Sequence, residues 1–157
     1  RVVTMREETG PYLSPNLKEF NHINKEYNDI YHEAIVRMGL SESAFDILYS
    51  VCELGDGCLQ RDICKVCYIP KQTVNSAVRK LEKEGYLVLH KGHGRQMHIS
   101  MTEMGKEKLK QWIYPMIRSE NEAFQALTEE ETIQLLNLHR KYVTALRKSM
   151  SDGMQKE

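Results

Sequence analysis

The run from Lys71 to Glu84 constrains the fold of this 157-residue chain more than any other segment. Its apolar residues recur three and four positions apart, which places them on one face of an α-helix. These residues are Val74, Ala77, Val78 and Leu81. The opposite face carries Lys71, Gln72, Asn75, Ser76, Arg79 and Lys83. We therefore predict an amphipathic helix that stops at Gly85, where a left-handed turn is accessible.

The residues after Gly85 have the pattern of a β-hairpin. Tyr86 to Leu89 is strand-like, and Lys91 to Arg95 is a short basic loop that contains two glycines. Apolar residues then alternate with polar ones, at Met97, Ile99 and Met101. A helix followed by a strand, a basic loop and a second strand has the element order of a winged helix.

The polar face of the predicted helix has the side chains that read DNA. Amide side chains can form paired hydrogen bonds with adenine, arginine can do so with guanine, and lysine can bind the phosphate backbone. Polar residues opposite an apolar stripe also describe any solvated surface helix, so the face alone does not decide its role. The hairpin and the distribution of charge favour nucleic acid.

These motifs together resemble the DNA-binding core of MarR-type transcriptional regulators. The resemblance rests on PKQTVNSAVRKLEKEGYL at residues 70–87, on Gly94-Arg95 at the end of the wing, and on the Thr-Glu-x-Gly step at residues 102–105. The helix face and the resemblance together predict DNA contacts from Lys71, Gln72, Thr73, Asn75, Ser76 and Arg79 on the helix, and from Arg95 on the wing. We also predict a wing contact from His93, because the usual acidic partner of the arginine is missing. The chain departs from the family pattern where His93 and Gly94 replace the usual acidic residue before the wing arginine, and where Leu59 replaces a Ser or Thr cap.

Further helices are predicted on both sides of this unit. A long helix is expected from a cap at Asn16 to about Met38, after an irregular arm over residues 1–15. Ser41 caps a second helix that stops near Gly55, and a short third helix runs from Gln60 to about Cys67. The Gln60 helix and the Lys71 helix form a helix-turn-helix pair.

Two more helices are predicted after the wing. Thr102 caps the first, and Pro115 predicts a kink within it. Thr128 and Glu131 form a capping box for the last, which ends near Met150.

The predicted fold class is mainly α with a small β-wing, in which long dimerisation helices flank a winged helix-turn-helix core. We predict one MarR-like domain over residues 1–157, with the DNA-binding lobe at 55–105 and dimerisation helices at 16–52 and 106–150. The flanking helices have more apolar surface than so small a lobe covers, so a second copy is expected to bury it. The resemblance likewise implies a homodimer on a pseudo-palindromic double-stranded operator, with half-sites about 10 base pairs apart.

The charge of the chain is concentrated in its middle. The net charge of the whole chain is zero, yet residues 59–110 hold eleven basic and five acidic residues. The rest of the chain therefore has six more acidic than basic residues. A basic segment between acidic arms is typical of a localised surface that faces DNA. The sequence has no run apolar enough to span a membrane and no export signal, so we predict a cytoplasmic protein with no membrane partner.

Four cysteines, at positions 52, 58, 64 and 67, leave several possibilities open. A reducing cytoplasm disfavours disulfides. Cys64 and Cys67 have the spacing of half a metal site, but Cys52 and Cys58 do not form a second pair, so we predict buried thiols, no metal and no cofactor. A redox- or metal-responsive regulator that uses Cys64 and Cys67 is the alternative.

An effector pocket is a further hypothesis. The resemblance implies release from DNA by a small aromatic molecule, and the candidate lining is Tyr27, Tyr31, His32, Trp112 and Tyr114. Aromatic residues at helical spacing more often pack in a core or an interface, and that alternative stays open.

No motif for catalysis is present, so we predict that the chain is not an enzyme. The sequence therefore predicts a homodimeric, sequence-specific DNA-binding regulator, a repressor that a small molecule releases. The rival hypotheses are a winged helix that binds only protein and a thiol enzyme that uses one of the cysteines.

Overall fold

The computed structural model describes residues 11–154, which fall into two compact units divided between Leu109 and Lys110. The first unit contains α1 (Pro15–Met38), α2 (Glu42–Leu54), α3 (Gln60–Val66), α4 (Lys71–Lys83), β1 (Leu87–Lys91), β2 (Met97–Met101) and α5 (Glu103–Lys108). A π-helical segment follows at Leu109–Ile113, and the second unit contains α6 (Tyr114–Phe124) and α7 (Glu129–Met154). The prediction of a mainly α fold with a small β-wing is confirmed. The predicted domain boundaries stay a prediction.

The first helix begins one residue before the predicted cap. Ser14 is the cap, and its hydroxyl accepts a hydrogen bond from the Leu17 amide at 3.2 Å. Pro15 occupies the first turn, where its missing N–H and fixed φ are favourable. The prediction of Asn16 as the cap is therefore wrong. Of the predicted irregular arm, residues 11–14 are irregular, and residues 1–10 lie outside the described part of the chain.

The core of the first unit is built where α2, α3 and α4 meet. Ser41 caps α2 as predicted, and α2 contributes Phe45, Leu48 and Val51 to the interior. The four apolar residues predicted on one face of α4 are all buried. Ile63 of α3 is completely buried between them and the hairpin side of the core. The backbone of the helix-turn-helix pair is thereby fixed by packing.

The wing is a two-stranded antiparallel sheet in which Leu87 pairs with Met101 and Leu89 with Ile99. Side-chain hydrogen bonds attach it to neighbouring elements. The Glu82 carboxylate accepts from the Leu89 amide at 3.1 Å, the Asp56 carboxylate accepts from the Met101 amide at 2.7 Å, and His98 Nδ1 donates to the Gly57 carbonyl at 2.9 Å. These contacts hold the two strands against the turn before α3 and the last turn of α4.

The helix after the wing is interrupted before Pro115. The segment Leu109–Ile113 is π-helical, and Pro115 lies in the first turn of α6. A proline at that position needs no backbone donor. The interruption is thus a π-helical segment that ends two residues before the proline, and the predicted kink at Pro115 stays a prediction.

The last helix begins with the predicted capping box. The Glu131 amide donates to Thr128 Oγ1 at 3.1 Å, and the Thr128 amide donates to the Glu131 carboxylate at 2.9 Å. The helix continues past the predicted end, to Met154. None of its described residues is buried within the single chain. Within residues 11–154, no helix has both the length and the apolar character needed to cross a membrane.

Gly105 is the position at which the fold tolerates no side chain. A Cβ atom there would lie 1.9 Å from the Tyr86 carbonyl oxygen. The start of α5 is held this close because Thr102 Oγ1 donates to the Gly85 carbonyl at 2.6 Å and the Thr102 amide donates to the Tyr86 carbonyl at 3.2 Å. The glycine of the Thr-Glu-x-Gly step is therefore required by a close backbone approach.

We expect Gly105→Ala to lower the free energy of unfolding by roughly 1–3 kcal/mol, because the backbone of α5 must move away from Tyr86. Gly153→Ala is the matched control, since a Cβ at Gly153 meets nothing within 4 Å. That variant should be as stable as the parent or slightly more stable. Urea unfolding followed by circular dichroism measures both, and equal stability of the two variants would contradict the account.

Candidate nucleic-acid interface

A groove of about 610 Å³ lies between α3, α4 and the wing. Its lining residues are Gln60, Arg61, Cys64, Lys71, Asn75, Arg79, Leu89, His93, Arg95, Gln96 and Met97. Four of them are permanently cationic, and none carries a carboxylate. The groove is therefore suited to a polyanion that also offers hydrogen-bonding edges.

The helix α4 supplies one wall of this groove. Lys71, Asn75 and Arg79 are spaced four residues apart, so they form one ridge along the helix, and all three are exposed. The ridge faces outward because the opposite stripe is buried. His93 and Arg95 of the wing line the same groove. Five of the eight DNA-contacting residues that the sequence suggested therefore lie together.

The other three candidates lie elsewhere on α4. Thr73 and Ser76 line a smaller cleft of about 310 Å³ beside the start of α2, together with Lys80. The Ser76 hydroxyl also donates to the Gln72 carbonyl at 3.2 Å. Gln72 is exposed and is not a lining residue of the groove. The contribution of these three residues to DNA binding stays a prediction.

Six groove residues were not among the candidates from the sequence: Gln60, Arg61, Cys64, Leu89, Gln96 and Met97. The first three lie within about 100° of one another around α3, on a face that does not include the buried Ile63. A helical projection of this short helix would have shown that face. The first helix of a helix-turn-helix pair also commonly approaches the DNA backbone.

The wing loop is tight and leaves its charged side chains outside. The Gly92 amide donates to the Gln96 carbonyl at 2.9 Å, the Gln96 amide donates to the His93 carbonyl at 3.2 Å, and Gly94 has a φ of 63°. Both His93 and Arg95 are exposed. The loop is therefore closed by its own backbone, without an acidic side chain to hold the arginine.

The cations of the groove are not neutralised by their neighbours. The lysines and the histidine in ion pairs include Lys25, His32, Lys65, Lys80 and Lys106. None of these lines the groove, and none of the described carboxylates pairs with Arg61, Lys71, Arg79 or Arg95. The positive potential of the groove is thus available to a partner.

Comparison with known proteins identifies this arrangement. Residues 38–96, from the end of α1 to the wing loop, match the sequence model of the MarR family. Over this stretch the winged helix resembles that of the MarR family. The resemblance predicted from the sequence is confirmed. No curated protein matches the chain in sequence.

Solved structures of MarR-family proteins share the fold over most of the chain. NMB1585, a MarR family regulator from Neisseria meningitidis, aligns with a TM-score of 0.75 and 20% identity, over 89% of this chain and 99% of that protein. MepR from S. aureus, in complex with DNA, aligns with a TM-score of 0.63 and 22% identity, over 82% and 96%. BpsR from Bordetella bronchiseptica, whose DNA binding is regulated by 6-hydroxynicotinic acid, aligns with a TM-score of 0.60 and 20% identity, over 86% and 99%. MarR family proteins are transcriptional regulators and not enzymes, as the sequence predicts for this chain.

The candidate effector residues are divided between elements. Tyr27, Tyr31 and His32 lie on α1, where Tyr27 is 56% exposed and His32 Nδ1 lies 3.3 Å from a carboxylate oxygen of Glu42. Trp112 belongs to the π-helical segment, and Tyr114 begins α6. The effector pocket stays a prediction.

The four cysteines are free thiols. Burial raises the pKa of Cys52 to about 11, and burial also raises the pKa of Cys58. The pKa of Cys64 is raised by burial and by the neighbouring Cys67, against a lowering effect of Lys71. Among the described residues, no group of three or more His, Cys, Asp or Glu side chains could hold a metal ion. The raised pKa values favour protonated, weakly nucleophilic thiols over a redox sensor.

We expect a variant that retains only Cys52 to react slowly with iodoacetamide at neutral pH. Because the thiolate is the nucleophile and the pKa is about 11, the rate should rise about tenfold per pH unit to well above pH 9. An unstructured cysteine peptide, with a pKa of about 8.5, is the control and should level off earlier. A rate for the protein that levels off below pH 9 would contradict the raised pKa.

Proposed function

We propose that this chain is a sequence-specific, DNA-binding transcriptional regulator of MarR type. The observation that carries the proposal is the groove between α3, α4 and the wing, whose lining combines four unpaired cations with three amide side chains and no carboxylate. In this proposal α4 enters the major groove, where the ridge of Lys71, Asn75 and Arg79 faces the base edges. Arg95 reaches the adjacent minor groove, whose width and potential an arginine can read.

The dimensions of α4 support this arrangement. The helix has 13 residues, so it is about 20 Å long at a rise of 1.5 Å per residue. The major groove is about 12 Å wide and admits one α-helix. The wing loop projects from the same core, so a single rigid unit carries both contacts.

We also propose that the functional unit is a homodimer. The apolar residues of α7 recur at helical spacing and are exposed in the single chain: Leu135, Leu136, Leu138, Tyr142, Val143, Leu146 and Met150. They form one stripe along the helix, and a soluble chain needs such a stripe covered. A second copy covers it with two-fold symmetry, which fits a pseudo-palindromic operator.

The regulatory role is proposed as repression that a small aromatic molecule relieves. A dimer bound across an operator excludes other proteins from that DNA. BpsR offers a precedent for control of DNA binding by a small aromatic acid. For this chain the candidates for such a pocket are the aromatic residues on α1 and around α6.

The rival hypotheses predict different results. A winged helix that binds only protein would give no salt-sensitive complex with DNA. A thiol enzyme would have an exposed cysteine of low pKa, whereas the pKa values of Cys52, Cys58 and Cys64 are raised.

DNA binding is tested by measuring affinity across a salt series on a duplex selected from a random library and on a scrambled duplex. Asn75→Ala and Arg79→Ala should each cost about 1–3 kcal/mol on the selected duplex and relax its sequence preference. Arg95→Ala should weaken binding to both duplexes alike and reduce the salt slope by about one counterion per subunit.

Lys25→Ala is the matched control, because Lys25 lies on α1 in a solvated ion pair with Asp29 and outside the groove. It should leave affinity and salt slope close to those of the parent. Should Arg95→Ala also leave both unchanged, the wing does not contact DNA.

The dimer is tested by sedimentation at micromolar concentration, where the parent should have twice the chain mass of 18.3 kDa. Leu146→Glu places a charge in the middle of the apolar stripe and should shift the protein toward monomer. Lys141→Glu is the control, five positions earlier and about 140° around the helix. A folded parent that sediments as a monomer would refute the dimer.

A further inference from the structure

Two amide side chains meet in the groove, one from each helix of the helix-turn-helix pair. Gln60 is the first residue of α3, and its Nε2 donates a hydrogen bond to Asn75 Oδ1 on α4. Both residues line the groove. Fifteen positions separate them in sequence. The contact therefore exists only because the two helices are packed together.

The backbones on both sides of this contact are fixed. Leu59, directly before Gln60, forms an isolated bridge to His98 of β2, and Ile63 one turn later is fully buried. Asn75 follows the fully buried Val74. Neither helix can move to relax the pair without disturbing the core. The amide of Asn75 is thus held in a defined orientation.

That orientation determines what Asn75 offers to DNA. A free asparagine presents a carbonyl and an amine side by side, which matches the N7 and N6 positions of adenine. Here the carbonyl oxygen of Asn75 already accepts a hydrogen bond from Gln60, which engages one of its two lone pairs and leaves the amine available to donate. The Asn75 carbonyl is therefore a poorer acceptor for the N6 amine of adenine, and the bidentate contact with adenine is weakened.

We infer that Gln60 is a positioning residue that sets the base preference of Asn75. The inference rests on the proposed DNA-binding function. With Gln60 in place, the Asn75 amine donates to a base acceptor such as guanine O6 or thymine O4. Without Gln60, the Asn75 carbonyl is released and adenine becomes the favoured base at that position. Gln60 thus acts on sequence selection through Asn75.

The experiment is selection from a random duplex library by the full-length parent, by three single variants and by one double variant. Gln60→Met keeps the length of the side chain and removes its hydrogen bond. Asn75→Ala removes the residue that Gln60 orients, and the double variant combines these two changes. Gln134→Ala is the matched control, because Gln134 is an exposed glutamine on α7, outside the groove. Thermal melts of all five proteins verify that each is folded.

The parent and Gln134→Ala should select the same motif. Gln60→Met should shift the preference at one position of each half-site toward adenine, by roughly tenfold in relative affinity. Asn75→Ala should lose preference at that same position. In the Asn75→Ala background, adding Gln60→Met should change the motif no further. A purely structural role for Gln60 would lower stability without moving a single base position.

The outcomes separate this inference from the function on which it rests. If the parent selects no motif, DNA-binding regulation is refuted, and the role of Gln60 with it. If the parent selects a motif and Gln60→Met selects the same one, only the role of Gln60 is refuted. A shift at a position that Asn75→Ala leaves unchanged would refute it as well.

Discussion

Burial of one stripe of α4 is the constraint on which the rest of the first unit depends. Val74 and Val78 are fully buried, and Leu81 is 1% exposed, where α4 packs on α2. Because a helix is rigid, burying one face of α4 fixes its rotation about its own axis. The ridge of Lys71, Asn75 and Arg79 must then face outward. The wing is attached to the same core through Ile99 and through the Glu82 carboxylate. The two sides of the groove therefore cannot be positioned independently.

The positive charge of the groove follows from its cationic side chains, which form no ion pairs with the described part of the chain. The chain is neutral overall, but its described ion pairs lie outside the groove, along exposed helix faces. Surface pairs of that kind contribute little to stability. The groove cations keep their full charge for a partner, which favours a polyanion. The basic surface is thus confined to one lobe, and the net charge of the whole chain does not indicate it.

The second unit presents a different physical problem. In the single chain, α7 has a capped start, a continuous apolar stripe and no buried residue among those described. Packing and not intrinsic propensity supplies most of the stability of helices in proteins. A second copy is the partner that we propose, because its two-fold symmetry also suits an operator with two half-sites. The proposed dimer therefore connects the stability of α7 to the geometry of DNA recognition.

Local patterns in the sequence were sufficient to predict the helix α4, the alternation in β2 and the capping box at Thr128, because each depends on residues within one or two turns. The choice of Ser14 over Asn16 as a cap was also local, and Pro15 was the signal that decides it. Tertiary structure alone decided two further features. It divides the polar residues of α4 between two clefts, and it brings Gln60 into contact with Asn75. Both depend on the angle at which α3, α4 and the wing pack, and residues that meet across a packing angle leave no periodic pattern in the chain.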